Sequence, residues 1–188
     1  MSDRLIRNWV YGGFLAGLLL LALTWLLAQD WPLWLTSIWL LLPIYMIHQY
    51  EEHDADRFRL FVNQHVSGGR EALTPLAVFL INIPGVWGVI VVAFALAWNV
   101  RPGLGLIAVY LVLVNAVIHI VAALVMRRNN PGLGTAIVLF IPAGLLALRI
   151  VNYTAPSRAD HAIGLAFGIA IHLAIILYMR IRTARLAS

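Results

Sequence analysis

The amino-acid sequence predicts an all-α membrane protein, a polytopic bundle of about six transmembrane helices that forms one integral membrane domain over residues 1–188. Of the 188 residues, 62% are hydrophobic and 11% are charged, and the mean hydropathy is +0.89. Soluble domains are usually about 45–50% apolar and about 25% charged. This composition excludes a soluble globular domain, a nucleic-acid-binding protein and a disordered chain. The lack of cysteine also excludes disulfides, thiolate nucleophiles and cysteine metal ligands.

Six apolar stretches come close to the roughly 20 residues that a helix needs to cross a bilayer. These stretches are continuous rather than alternating, which favours helices over the strands of a membrane barrel. The predicted spans cover residues 9–28, 31–50, 75–98, 103–126, 131–148 and 161–179. Pro43, Pro84 and Pro142 fall inside spans, where they remove backbone hydrogen bonds and predict kinks.

The distribution of arginine predicts the orientation of the bundle. All thirteen basic residues are arginine, and with the amino terminus in the cytoplasm ten of them fall in cytoplasmic segments. The other three, Arg101, Arg149 and Arg158, fall on the outer side. Membrane proteins keep their excess of basic residues inside. We therefore expect both termini in the cytoplasm and a multi-pass location in the cytoplasmic (inner) membrane.

The longest polar stretch, residues 51–74, follows the second span on the cytoplasmic side. Within it, Phe58, Phe61, Val62 and Val66 share one helical face, which predicts a short interfacial helix. Two roles stay open for this helix. It is either a solvated connector or a lid over a cavity that opens inward.

Strongly polar side chains within the spans gather at one depth. Such groups are costly inside a bilayer, so each is a functional candidate. At about 1.5 Å of rise per residue, all of them fall in the cytoplasmic half of the bundle. They are His48, Glu51, Asn82, Asn115, His119, Thr135 and His172. We interpret Asn82 and Thr135 as packing residues, and His53 and His65 as solvated residues at the membrane edge.

The end of the second span carries the densest chemistry, His48-Gln49-Tyr50-Glu51-Glu52. Residues three and four positions apart share a helix face, so the His48 imidazole lies beside both carboxyl groups. A histidine next to a partly desolvated carboxylate suits metal binding or acid–base chemistry. The alternative is a structural charge cluster at the membrane edge, in which the glutamates pair with Arg57 or Arg59.

Two further motifs follow along the chain. Asn115-Ala116-Val117-Ile118-His119 places an amide one turn from an imidazole, and Gly168-Ile169-Ala170-Ile171-His172 follows in the last span. With these three motifs in order, across about residues 44–175, the chain resembles the HXXEE family of small integral membrane proteins. The resemblance implies a membrane enzyme with its active site at the motif residues, and it implies no particular substrate.

A metal centre is the chemistry that this set of side chains predicts first. Imidazole and carboxylate ligands suit zinc or iron. The candidate ligands are His48, Glu51, Glu52, His119 and His172. Glu51, Glu52 and Asn115 are also the candidate catalytic residues, with Asn115 orienting an imidazole. Zinc would support hydrolysis, and iron would support oxidation, of an apolar or lipid-like substrate in the bilayer.

Other functions remain open at this point. One is a metal-free isomerase, in which Glu51 or Glu52 carries a proton with His48 and His119 as partners. Another is a small proton-coupled or cation transporter, although the polar residues lie in one half of the membrane only. A purely structural membrane protein is the least favoured. The sequence leaves homo-oligomerisation open and gives no indication of a nucleic-acid partner.

Overall fold

The computed structural model describes residues 2–187, and this part of the chain is all-helical, as the continuous apolar runs predict. In chain order the helices are α1 (Ser2–Leu27), α2 (Leu33–His53), α3 (Arg57–His65), α4 (Pro75–Asn99), α5 (Pro102–Met126), α6 (Leu133–Asn152) and α7 (Arg158–Arg185). Within the described residues, five helices are long and apolar enough to cross a membrane, namely α1 from Asp3 onward, α4, α5, α6 and α7. These five helices indicate a multi-pass membrane protein.

Helix α2 corresponds to the predicted span 31–50 but is not one of those five helices. Its 21 residues are long enough, and its ionisable residues other than Tyr45 all lie at its carboxyl end. There, His48 and Gln49 are fully buried and Glu52 is 5% exposed. Since α2 packs against α1, α4, α5 and α6, these groups are enclosed by protein rather than lipid, which is how polar residues are tolerated at this depth.

Two helices contain a wide, π-helical turn. In α4 this turn is Ile81–Trp87, which includes Pro84, and in α6 it is Ala136–Phe140, which Pro142 follows closely. Proline lacks the N–H that a regular turn needs, and inserted π-turns are frequent at functional sites. In this chain they lie beside Asn82 and Thr135, two of the polar residues in the cytoplasmic half of the predicted spans.

The helices α5 and α7 make a close contact through Gly168. A Cβ atom at this glycine would lie 3.0 Å from the Tyr110 carbonyl oxygen and 3.1 Å from its carbonyl carbon. Small residues permit this approach of two backbones, which drives helix association in membranes. The Gly168 carbonyl also accepts a hydrogen bond from Nδ1 of His172 at 2.7 Å. The glycine of the third motif therefore has a packing role and a polar role.

We expect Gly168→Ala to lower the free energy of unfolding by about 1–3 kcal/mol, because the added methyl group forces two backbones apart. Unfolding of the detergent-solubilised protein measures the effect. Gly12→Ala is the matched control, since a Cβ atom there has nothing within 4 Å. Equal stability of the two variants would contradict the close contact.

The polar stretch after α2 contains α3, whose bounds are Arg57–His65. Ala55 and Asp56 have φ values of 51° and 63°, so the chain turns sharply between α2 and α3. The apolar side of α3 packs inward, with Val62 buried in a cluster that includes Trp9 and Leu73. This is the face that the sequence predicts to be apolar.

Candidate metal centre

The carboxyl end of α2 supplies the acidic group at the centre of the site. His48 and Glu52 are one helical turn apart, and His48 Nε2 lies 3.5 Å from Glu52 Oε2. From α5, His119 Nε2 lies 3.5 Å from the other oxygen, Glu52 Oε1. One ligand atom from each of these three buried residues lies within 4.8 Å of the others. We call His48, Glu52 and His119 the ligand cluster.

The tautomer of His48 follows from its hydrogen bonds. Its Nδ1 lies 2.8 Å from Thr135 Oγ1. The Thr135 hydroxyl donates its single proton to Glu51 Oε2 at 2.5 Å, so it can only accept from the imidazole. In its neutral form His48 therefore carries its proton on Nδ1, and its Nε2 presents a lone pair toward Glu52.

The tautomer of His119 follows in the same way. Its Nδ1 lies 2.6 Å from Asn130 Oδ1. The amide of Asn130 is oriented by its nitrogen, which donates to the His119 carbonyl oxygen at 2.8 Å. The amide oxygen therefore accepts from Nδ1 of His119, and the Nε2 lone pair again faces Glu52.

The ligand cluster thus brings together several hydrogen-bond acceptors. Two imidazole lone pairs and a carboxylate converge, and His48 Nε2 is buried without a hydrogen-bond partner among residues 2–187. A buried acceptor without a donor is costly, and a cation placed among such atoms removes that cost. Imidazole nitrogens held through their second nitrogen, together with a carboxylate, are the donor set of zinc and iron sites. The side chains present therefore fit a divalent metal ion.

The loop between α5 and α6 packs directly on both imidazoles at Gly132. A Cβ atom there would lie 2.8 Å from His119 Cε1 and 2.9 Å from His48 Cε1. The φ of Gly132 is 92°, in the left-handed region that favours glycine. Glycine at this position therefore allows the loop to cover the ligand cluster and to place Thr135 in contact with His48.

Glu51 lies outside the ligand cluster. Its carboxylate accepts hydrogen bonds from the backbone N–H of Gly134 at 3.1 Å and of Thr135 at 2.6 Å, as well as from the Thr135 hydroxyl. A carboxylate at the start of α6 is favoured by the free N–H groups there. Glu51 acts on the ligand cluster through Thr135, which binds His48.

His172 and Asn115 also lie outside the ligand cluster, although they line the same cavity as His119. Because His172 donates from Nδ1 to Gly168, its Nε2 carries a lone pair. Asn115 donates to the Tyr45 hydroxyl at 2.6 Å. It is Asn130, and not Asn115, that orients His119.

The cavity beside the ligand cluster has a volume of about 200 Å³ and is largely apolar. We call it the site cavity. Its polar lining residues are Tyr45, Glu52, His53, Asn82, Asn115, His119, Asn130 and His172. Its apolar wall includes Phe58, Phe61, Val62 and Val66, the face of α3 that the sequence singles out. A mostly apolar cavity with a few convergent polar groups is typical of small-molecule sites.

Three residues that the sequence interprets as peripheral or omits lie at the site. His53 is 6% exposed, and its Nε2 lies 3.2 Å from Glu52 Oε2. Thr135 binds His48, and Asn130 binds His119. The polar surroundings of His53 in the sequence favour a solvated position, but its ring packs against Trp9 of α1. Asn130 and Thr135 have no periodic spacing to the histidines that could reveal the contacts.

The arginines after α2 do not pair with the motif glutamates. Arg57 pairs with Asp54 at 3.4 Å. Arg59 pairs with Asp56 at 2.5 Å and with Glu71 at 2.7 Å, and the hydrogen bond that it donates to Asp56 raises the pKa of the Arg59 guanidinium. Glu52 faces histidines instead, which is the arrangement that a binding site needs.

Comparison with known proteins supports the motif assignment. A family model described as "Protein of unknown function with HXXEE motif" matches residues 39–147, more than half of the chain. The match includes the ligand cluster, Asn130 and Thr135, whereas the motif Gly168–His172 lies beyond it. No curated protein and no solved structure matches the chain. The extent of the family match, with its naming motif at the centre of the site, shows that this protein belongs to the HXXEE family.

Proposed function

We propose that this protein is a membrane-embedded enzyme in which the ligand cluster holds a divalent metal ion, zinc or iron, beside a cavity for an apolar or lipid-like substrate. One observation carries the proposal. The Nε2 lone pairs of His48 and His119 converge on the Glu52 carboxylate, and in the part of the chain that the structure describes His48 Nε2 has no hydrogen-bond partner. A metal ion satisfies all of these acceptors at once.

The residues around the ligand cluster have distinct roles in this proposal. Thr135 and Asn130 hold the two imidazoles by their Nδ1 atoms, so that both Nε2 atoms face the metal position. Glu52 supplies the negative charge that balances the cation. When bound, zinc would supply an activated water for hydrolysis, and iron would supply oxidative chemistry. The apolar side chains of the site cavity would hold the substrate and exclude bulk water.

The membrane arrangement that we propose has six spans, with α2 as the second. The burial of its polar end by neighbouring helices supports a membrane position for α2 despite its lower hydropathy. The excess of arginine on one side supports cytoplasmic termini and a cytoplasmic membrane location. Helix α3 then lies at the cytoplasmic interface and closes the site cavity on its cytoplasmic side.

Metal analysis of the purified protein tests the proposed function. We expect about one zinc or iron ion per chain in the parent protein, and its loss in His48→Ala and in His119→Ala, because each variant lacks one of the three ligands. His65→Ala is the control, since His65 is exposed and contacts Arg128. A folded parent protein that retains neither metal after reconstitution would overturn the metal proposal.

A metal-free acid–base enzyme is the second candidate, and a specific contact favours it. Glu52 lies within 3.5 Å of Nε2 of three imidazoles, those of His48, His53 and His119. Such a carboxylate can exchange a proton with its neighbours. Metal-free protein that still binds and isomerises an apolar substrate would support this candidate, whereas a loss of conversion in chelator would exclude it.

A further inference from the structure

A second and larger cavity adjoins the site cavity between the later halves of α5 and α7. Its volume is about 1050 Å³. Six residues line both cavities, namely Val66, Ile118, Ala122, Met126, Ile176 and Met179. The two cavities therefore adjoin each other across these six side chains. We call the larger cavity the groove.

The position of the groove follows from the packing of the two helices that form it. In one half of the bundle, α5 and α7 touch backbone to backbone at Gly168. One turn further on, His172 lines the site cavity, and beyond it the side chains of Ile176 and Met179 line both cavities. The walls of the groove are mostly aliphatic, so the groove suits a hydrocarbon chain.

Two arginines line the groove. Arg70, in the loop after α3, and Arg180, on α7, both line it, and both are exposed. Neither forms an ion pair within the described residues 2–187. Arg180 follows His172 by eight residues, which places its backbone about 12 Å along the helix axis from that of His172. The groove thus combines two cationic side chains with mostly apolar walls.

We propose that the groove binds a membrane lipid with an anionic phosphate head group, whose phosphate contacts Arg70 and Arg180 and whose acyl chain enters the site cavity. Guanidinium groups pair well with phosphate, and each basic residue near the membrane surface strengthens binding to anionic lipid. The lipid reaches the groove from the cytoplasmic leaflet. The proposal rests on the proposed function for its chemistry, and it specifies the substrate class.

This binding mode determines which part of the lipid is transformed. With the phosphate at Arg180 in the groove, the atoms beside Glu52 and His119 in the site cavity belong to the acyl chain. The reacting group is therefore in the hydrocarbon chain, and the head group serves for recognition. A head-group hydrolase would need the opposite orientation, with the phosphate beside the ligand cluster.

A binding titration with a pyrene-labelled phosphatidic acid tests the proposal. The protein is kept in a neutral detergent with chelator, so that the result does not depend on metal. We expect saturable binding by the parent protein. R70Q/R180Q should weaken it about 10- to 30-fold, because two charge contacts with the phosphate are lost. The matched control is R4Q/R127Q, which removes the same charge at exposed positions that do not line the groove.

A second variant tests whether the acyl chain of the lipid extends from the groove into the site cavity. Ala122 lines both cavities, so Ala122→Phe obstructs their junction while both arginines remain. We expect this variant to bind the labelled lipid at least about 10-fold more weakly. Its helix content, measured by circular dichroism, should be unchanged. Diacylglycerol with the same chains should bind more weakly than phosphatidic acid, and inorganic phosphate should not displace the lipid.

Three results would overturn the lipid proposal. They are equal affinity of R70Q/R180Q and its control, unchanged affinity of Ala122→Phe, and equal binding of diacylglycerol and phosphatidic acid. Because the titration uses metal-free protein, a failure of lipid binding does not affect the result of the metal analysis. Conversely, a protein that binds the lipid but takes up no metal would support the lipid site in the groove and refute the metal centre.

Discussion

Glu52→Gln is expected to weaken metal binding at least about 100-fold, since it removes a charged ligand rather than a group that orients one. The two carboxylate oxygens lie 3.5 Å from the Nε2 atoms of His48 and His119. The glutamine amide keeps the shape of the side chain but replaces one acceptor by a donor. That donor faces an imidazole lone pair and satisfies it, so the variant should fold with at least the stability of the metal-free parent. Competition with a chromogenic chelator measures the affinity.

The matched control is Glu51→Gln, one residue earlier on the same helix. The Glu51 carboxylate binds the start of α6 and reaches His48 only through Thr135. Loss of such an orienting group weakens metal binding by about 10- to 100-fold. We therefore expect a smaller effect than for Glu52→Gln. If both variants lost metal equally, or if Glu51→Gln alone lost it, the assignment of Glu52 to the ligand cluster would be wrong.

The contrast between these glutamates shows what the sequence can and cannot predict. The i, i+4 spacing places His48 and Glu52 on one face of α2. Glu51, at i+3 from His48, lies close to the same face, so the spacing does not distinguish the two carboxylates. Which carboxylate meets His119 depends on the rotation of α2 about its axis. That rotation is set by contacts with α1, α4, α5 and α6, and such long-range packing leaves no local pattern.

The fold itself is easier to predict, because its main determinant is local. Continuous apolar runs of about 20 residues predict spanning helices directly. Those runs predict the bounds of α1 and α4 to α7 to within a few residues at most ends, and α1 and α7 extend further at their polar ends. Asn130 and Thr135 are different, since they reach the histidines by a reversal of the chain between α5 and α6. His53 is covered by Trp9 of the distant helix α1 and by Phe58 of α3, which the sharp turn after α2 brings back to it.

Gly132→Ala is expected to have the second large effect, because this glycine lies against both imidazoles of the ligand cluster. The new methyl group would lie 2.8 Å from His119 Cε1 and 2.9 Å from His48 Cε1. We expect the free energy of unfolding to fall by about 2–4 kcal/mol, from left-handed backbone strain together with overpacking. Displacement of the imidazoles should also weaken metal binding about 10-fold or more. Unfolding in detergent and chelator competition measure the two effects.

Gly69→Ala separates the two causes of this loss. Gly69 has a φ of 82°, close to the 92° of Gly132, but a Cβ atom there has nothing within 4 Å. It therefore carries the backbone strain without the clash, and we expect a loss of about 1–2 kcal/mol and unchanged metal affinity. The difference between the variants measures how tightly the α5–α6 loop packs on the imidazoles. If the two variants lost equal stability and both kept the metal, the loop would not hold the ligand cluster in place.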